Sequence, residues 1–596
     1  MIVHKNVLNS FLVNNCRLGR VDINPPSLIF NNNNMALQVW LPLNKSGADK
    51  NQGLANINIV NNASYEVSGK LGGCYKNGTI NSGWGKNYNA CLGLSASCWI
   101  NIPTIEGNAI ILGSVHNYPA NTRFYVGCYN GYFSGGFGNT SWGDAASNRK
   151  IESSTWYHLC MTTFGTNWKL YINGQCVQEK TSSENPVILY GNIYIGEKQA
   201  LYSDFRIYDH CLSPKEVKEI SKGLVLHYPL NDAYVQNTTN LNKSIGTSWG
   251  HWGTNTITSN SFISPEGTLG SYVNCSSFTD GGVSVTHSSF SVKPDTTYVI
   301  SAKMKLTGYT NKNLFYWREY NSSKTQLSES GKWSSTNVLE YGHGYKLYYG
   351  IVTTSSETSS VQLQSYFYGV GEHWIYDIQV EEGQYPTPFA GYNTSRIATT
   401  VYDCSGYQNN GTISGSLSCS ADSPRYKVST NMSGQYISCN TTNIQQVCNA
   451  GAPFTISSWI KRIANYTNSS GLFEAGRSSG NLQCLHLVFR NTGRFVFAFY
   501  ACDLYSEFNI NNHIGEWNLI TCTYDGSIMK VYINGELNGS RDGAILDLQT
   551  TTPYTVIGKA QTANSPDLLS DFRVYATALS AEDIKELYDT SCIINS

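Results

Sequence analysis

Polar and apolar side chains alternate through KLYING at 169–174 and KVYING at 530–535, and each run ends on Asn-Gly. A period of two sends successive side chains to opposite faces, so both runs predict strands. Asn-Gly accepts positive φ at both central positions, so each run predicts a tight hairpin. WYHLCMTTF (156–164) and WNLITCTY (517–524) precede these hairpins as partner strands, and NIYIG (192–196) and YTVIG (554–558) follow as further strands. SVKPDTTYVISAKMKL (291–306) predicts a strand after a Pro-Asp turn, and IVTTSSETSSVQLQSYFYG (351–369) two strands around a polar turn. The period changes at Ser213-Pro214-Lys215-Glu216, which combines a capping Ser, a first-turn Pro and a Glu three positions on. Val217 and Ile220 then share one helix face, and Gly223 closes the helix. Ser580-Ala581-Glu582-Asp583 is the same device with Asp for Glu, followed by Ile584 and Leu587. Many strands, regular turns and one short terminal helix per unit predict two-sheet antiparallel sandwiches, an all-β fold.

The units are copies. DFRIYDHCLSPKEVKEI (204–220) answers DFRVYATALSAEDIKEL (571–587), Ser97-Cys98-Trp99-Ile100 answers Ser457-Ser458-Trp459-Ile460, and LQVWLPLN (37–44) answers LVLHYPLN (224–231). Pro42 precedes Trp99 by 57 residues, whereas Pro229 precedes Trp459 by 230, which is 173 more and enough for a domain. Downstream the spacing returns to register. The expected layout is an N-terminal arm over 1–35, a first repeat over 36–222, a second repeat split between 223–233 and 399–596, and a third sandwich inserted over 234–398.

Composition narrows the function classes. A net charge of −1 supplies no electrostatic reason to expect nucleic acid. No apolar stretch is long enough to span a bilayer, so membrane insertion is not expected. The N-terminus lacks the basic-then-apolar pattern of an export signal. Seventeen cysteines without zinc spacing read as buried free thiols made in a reducing compartment. Only 14% of residues are charged and 13% are aromatic, so contact surfaces must rely on rings, amides and hydroxyls.

The ordered set Trp99-Ile100, Trp156, Tyr171-Ile172-Asn173-Gly174, Gly196 and Asp204-Phe205-Arg206-Ile207-Tyr208 resembles the LamG/concanavalin A-like jelly roll. Trp459-Ile460, Trp517, Tyr532-Ile533-Asn534-Gly535, Gly558 and Asp571-Phe572-Arg573-Val574-Tyr575 repeat the match. The resemblance implies two concanavalin A-like antiparallel β-sandwiches. Asp204 with Arg206, and Asp571 with Arg573, read as pins for the last strand and helix more readily than as a site. The ends of the insert, Asp377-Ile378-Gln379-Val380-Glu381-Glu382-Gly383 with Pro388-Phe389, resemble galactose-binding-like carbohydrate-binding modules.

Sugars present apolar C–H faces that stack on rings, while amides and guanidinium groups take the hydroxyls. Candidate contacts in the insert are Trp249, Trp252, Trp317, Arg318, Tyr320 and Trp333, set against the plainer reading that half of its rings are core. On the repeats, Trp84, Tyr118, Trp142 and Arg477 lie in Gly/Asn-rich stretches that read as loops.

A glycosidase of this fold would need two carboxylates on one strand face. Neither repeat carries Glu-x-Asp-x-Glu spacing, and Glu381-Glu382 are adjacent and so point oppositely. His116, His158 and His486 are isolated, which favours structural histidines. No cofactor is called for; calcium stays open, without an EF-hand-like loop. Met35 to Leu43 resembles the openings of LamG-type phage and prophage structural proteins. A virion protein assembles in the host cytoplasm and needs no export signal. The expectation is therefore a non-catalytic, glycan-binding bacteriophage surface protein (tail fibre, head fibre or receptor-binding protein), joined to other virion proteins through residues 1–34. A trimer is compatible with such a fibre, although no heptad run specifies one. The alternatives are a structural decoration protein, a polysaccharide depolymerase, and a bacterial cell-surface or secreted location.

Overall fold

The computed structural model describes residues 37–592 apart from 42, 44–57, 61–63, 82–87, 115–122, 140–145, 185–186, 190–192, 197, 231–235, 247–248, 253–254, 279–281, 309–313, 329–330, 335, 343, 421, 425–428, 433, 440–441, 477–479 and 549–553. The arm over 1–35 lies outside the described residues.

Each repeat is a pair of packed sheets. In the first, an eight-stranded sheet centres on Leu94–Asn101 between Trp156–Phe164 and Leu201–Tyr208, and a seven-stranded sheet carries Ala109–Ser114, Arg123–Tyr129 and Tyr132–Gly138. In the second, Phe454–Lys461 lies between Trp517–Tyr524 and Leu568–Tyr575, facing another eight-stranded sheet. These neighbours pair antiparallel. Leu224–Tyr228 joins Leu568–Tyr575, so the second repeat takes its first strand from well before the rest of its sequence.

The hairpins form as the Asn-Gly pairs dictate. Asn173 and Gly174 have φ of 50° and 79°, and Asn534 and Gly535 have 53° and 86°. The asparagine side chain contributes too: Oδ1 of Asn173 accepts from the His158 amide at 2.8 Å, and Oδ1 of Asn534 from the Leu519 amide at 2.8 Å. Helix Pro214–Ser221 carries the full capping box, with the Ser213 amide donating to Glu216 Oε2 at 2.7 Å. In the second copy the shorter Asp583 side chain instead accepts from the Ser580 hydroxyl at 2.7 Å, and its other oxygen takes Lys218 Nζ at 2.7 Å.

The Asp-x-Arg pairs act as pins. Asp204 and Asp571 both sit at positive φ in a bulge of the last strand. Asp204 accepts from Arg206 Nε at 3.0 Å and from Trp40 Nε1 at 2.7 Å. Asp571 accepts from Arg573 Nε at 2.8 Å and lies 2.8 Å from His227 Nε2. Trp40 and His227 hold the same place in the two copies, so one aspartate ties the last strand to the first in each.

The two repeats share a core. Trp40, Leu71 and Trp99 of the first belong to the apolar cluster built around Ile456, Phe473 and Phe572 of the second. Trp40 meets Tyr407 edge-on at 5.5 Å, Arg206 Nη2 reaches the Tyr407 hydroxyl at 3.4 Å, and the Thr577 hydroxyl donates to the Lys222 carbonyl at 2.7 Å. Beneath Trp99 lies the buried Lys70 ammonium, 5.0 Å from the ring.

Free thiols are buried at Cys98, Cys160 and Cys522, where burial raises their pKa. The expectation of free thiols fails at Cys404, which is disulfide-bonded.

Residues following the first strand of the second repeat form their own sandwich of a five-stranded and a six-stranded sheet. Its core includes Phe290, Ile300, Phe315, Trp317, Leu363 and Ile375. Thr238–Thr239 pairs antiparallel with Ser395–Arg396, so the chain enters and leaves this sandwich through one two-stranded ribbon. At its foot, the Cys419 amide donates to Gln236 Oε1 at 2.9 Å and Asn237 Nδ2 to Ser416 Oγ at 3.2 Å, which anchors the ribbon to the second repeat.

Candidate functional site: an aromatic sheet face

The five-stranded sheet of the middle sandwich contains Gly282–Ser291, Ser360–Phe367, Phe315–Tyr320 and Lys332–Ser334. In Ser360–Phe367, Val361, Leu363, Ser365 and Phe367 are buried while Gln362, Gln364 and Tyr366 are half-buried. Alternation thus turns one face to the core and the other outward. Strand pairing sets Tyr316 opposite Gln364 on one side and Trp333 on the other, and Arg318 opposite Gln362.

Three rings converge on the outer face. Trp333 lies 4.7 Å from Tyr316 and 5.1 Å from Tyr366 between centroids, and Tyr316 and Tyr366 meet edge-on at 5.3 Å. Trp333 is 41% exposed, whereas Tyr316 is 8% exposed, so the indole stands on a tyrosine floor. The floor is fixed by hydrogen bonds. The Gly331 amide donates to the Tyr316 hydroxyl at 2.7 Å, the Tyr366 hydroxyl to Gln364 Oε1 at 2.9 Å, and Gln364 Nε2 to Thr286 Oγ1 at 2.8 Å. The Arg318 guanidinium lies 5.3 Å from the Tyr316 ring, and the Tyr316 hydroxyl beside it raises its pKa further. Burial raises the Tyr366 hydroxyl, and Arg318 partly offsets that. A ring to stack on, amides to read hydroxyls and a cation make this face chemically suited to saccharide.

Of the residues expected from sequence, Arg318, Tyr320 and Trp333 lie on or beside this face. Trp317 does not. It is fully buried against Phe290 and Tyr298, both 5.9 Å away, and its Nε1 donates to Glu319 Oε1 at 3.2 Å, so it is core. Trp249 also turns inward. It packs 5.6 Å from Phe367, and its Nε1 crosses to Ser271 of the other sheet at 2.7 Å. The Trp252 backbone pairs with Gly282, but its side chain lies outside the described residues, as do Trp84, Tyr118, Trp142 and Arg477 entirely. Sequence reasoning missed Tyr316, Gln362, Gln364 and Tyr366; the two-residue spacing of Tyr316 from Arg318 was the available signal.

Nearby carboxylates are committed to the scaffold. Burial would raise Glu319, but Lys332 Nζ at 2.8 Å, the Ser355 hydroxyl at 2.6 Å and the Thr358 hydroxyl at 3.0 Å outweigh it and hold its pKa below the ordinary value. Glu381 is buried and accepts from the Thr387 amide at 2.7 Å and Gln379 Nε2 at 2.9 Å, while exposed Glu382 pairs with Lys293 on the other side of the strand. His158 is fully buried beneath Trp99, and burial lowers its pKa to about 3. His486 is lowered to about 4 in the same way. Among the described residues no group of three or more His, Cys, Asp or Glu side chains is arranged to hold a metal ion.

A second concavity lies in the second repeat, an open pocket of about 330 Å³ lined by Asn465, Tyr466, Asn468, Ser469, Asn564 and Pro566. Behind it the fully buried Arg462–Asp567 pair closes at 3.2 Å, with the Tyr466 ring 5.4 Å from the guanidinium.

The family model of the concanavalin A-like lectin/glucanases superfamily (Laminin_G_3) matches residues 86–218 and 431–585, one stretch in each repeat. Among solved structures, domain 4 of AbnA, a GH43 extracellular arabinanase from Geobacillus stearothermophilus, in complex with arabinotriose, is 17% identical. That match covers 32% of this chain and 100% of the domain, with a TM-score of 0.23. The receptor binding domain of botulinum neurotoxin D is 14% identical over 56% of this chain and 96% of its own, with a TM-score of 0.26. A heptameric SAP-like pentraxin from Limulus polyphemus is 19% identical over 24% of this chain and 72% of its own, with a TM-score of 0.20. No curated protein sequence matches the chain.

Proposed function

We propose that this chain is a non-catalytic glycan-binding protein carried on the surface of a bacteriophage particle, with the outer face of the middle sandwich as its sugar contact. The observation that carries the reading is the half-exposed Trp333 standing on Tyr316 and Tyr366 beside Arg318. The lectin/glucanase family match of both repeats agrees with sugar binding in general. A non-catalytic role is supported by Glu319 and Glu381, which, among the described residues, spend their oxygens on internal donors. The virion placement draws on the phage-like opening at Met35 to Leu43 and gives residues 1–34 the task of attachment.

A glycan array probed with the full chain and with Trp333→Ala tests the binding. Sugar-dependent signals lost in the variant support it, whereas a blank array with native folding favours structural decoration. Release of reducing ends from host capsule would replace it with a depolymerase. Immunogold labelling of intact particles tests the location.

A further inference from the structure

Arg318 differs from three guanidinium groups embedded in the sheets of the repeats. Arg206, Arg462 and Arg573 each lie against an aspartate, at 3.0, 3.2 and 2.8 Å. Arg318 has no acidic partner among the described residues, and its Nε is buried without a hydrogen bond. Glu319, the next residue, points to the opposite side of the strand and is neutralised there by Lys332. Burying a guanidinium edge without a counter-charge costs solvation energy, and at those three positions an aspartate offsets that cost. At Arg318 the flanking group is instead Tyr316, whose ring lies 5.3 Å from the guanidinium and whose hydroxyl favours the cation.

A planar guanidinium without a counter-charge matches a carboxylate or a sulfate by paired parallel hydrogen bonds, and it does so beside a ring that stacks sugar. The cation shares the outer face with the exposed indole, because Arg318 lies two positions from Tyr316 on the same strand and Trp333 stands opposite Tyr316 on the next strand. We infer that the aromatic face takes an anionic saccharide, with a sugar ring on Trp333 and its acidic group on Arg318. This rests on the glycan-binding reading above and adds the class of sugar.

The test is an array of matched pairs probed with the full chain: sialylated and desialylated glycans, uronate oligosaccharides and their carboxyl-reduced forms, sulfated and desulfated glycans. The expected result is signal on acidic members that weakens as NaCl rises. The pairs distinguish carboxylate from sulfate. Arg318→Gln lowers affinity for acidic members about ten- to hundredfold, a larger loss than for their neutral counterparts. Arg318→Lys keeps the charge without the planar fork and falls between. Trp333→Ala lowers binding to both members of a pair, which separates loss of stacking from loss of charge recognition. Circular dichroism confirms that each variant is folded. Equal binding to both members, or acidic binding indifferent to Arg318→Gln, overturns the inference while sugar binding stands. A blank array overturns both.

Discussion

Replacing Trp333 by alanine removes the one ring of the tyrosine–tryptophan cluster that is largely open to solvent. An indole side chain offers on the order of 250 Å², and Trp333 is 41% exposed, so about 100 Å² is free to be covered by a ligand. At about 25 cal/mol per Å², full coverage contributes about 2.5 kcal/mol, and coverage of half the free face about 1.2 kcal/mol. Dissociation constants should therefore rise about eight- to sixtyfold for any sugar that stacks there. Isothermal titration with the best array ligand measures this directly. The substitution also deletes ring contacts to Tyr316 and Tyr366, worth about 1–3 kcal/mol together, so the unfolding midpoint should fall. Trp333→Phe keeps much of that contact and should recover stability more fully than affinity. A folded Trp333→Ala protein whose affinity stays within about twofold of the wild type would refute the placement of the sugar on this face.

Trp317→Ala addresses the core side of the neighbouring strand. It should cost about 3–5 kcal/mol, seen as early melting of the middle sandwich; a variant that melts normally but fails to bind would return Trp317 to the contact surface. Lys70 supplies a pH signature, since burial lowers its pKa from 10.5 to about 7. Between those values the unfolded chain holds a proton that the folded chain has released, so stability rises with pH across that window and the full penalty applies below it. Lys70→Met should raise the unfolding midpoint most below about pH 7, by at most about 5 kcal/mol, and the gap should close as the pH approaches about 10. A gap constant with pH would contradict the burial argument. Asn534→Ala should destabilise by about 2 kcal/mol, combining left-handed strain with the lost bond to the Leu519 amide. Asn534→Gly should recover the strain component in a chemical denaturation series; equal losses for both would rule that component out.

Local chemistry was legible where a short stretch of sequence determines it alone. Asn173-Gly174 and Asn534-Gly535 turn as their φ preferences require, and Ser213 with Glu216 caps its helix. Parity was harder to read. Trp317-Arg318-Glu319 looks polar, yet Trp317 and Glu319 are both buried, because Lys332 of the neighbouring strand and Ser355 and Thr358 of a turn converge on the carboxylate. A buried acid with such partners mimics an exposed strand in any local hydropathy pattern. Trp333 was recognised without its platform, since Tyr366 reaches it from a strand 33 residues on. The shared core of the repeats was invisible for a related reason. Trp40 and Tyr407 are 367 positions apart, and each could equally have completed a core of its own.

The ribbon of Thr238–Thr239 with Ser395–Arg396 has a mechanical consequence. A bead strung between two neighbours is stretched from one end to the other whenever the string is pulled. Here both crossings leave the middle sandwich side by side, so a tug on its outer face pulls the two strands together and divides the load between them. Tension carried along the chain between the two parts of the second repeat passes across the ribbon and does not stretch the sandwich.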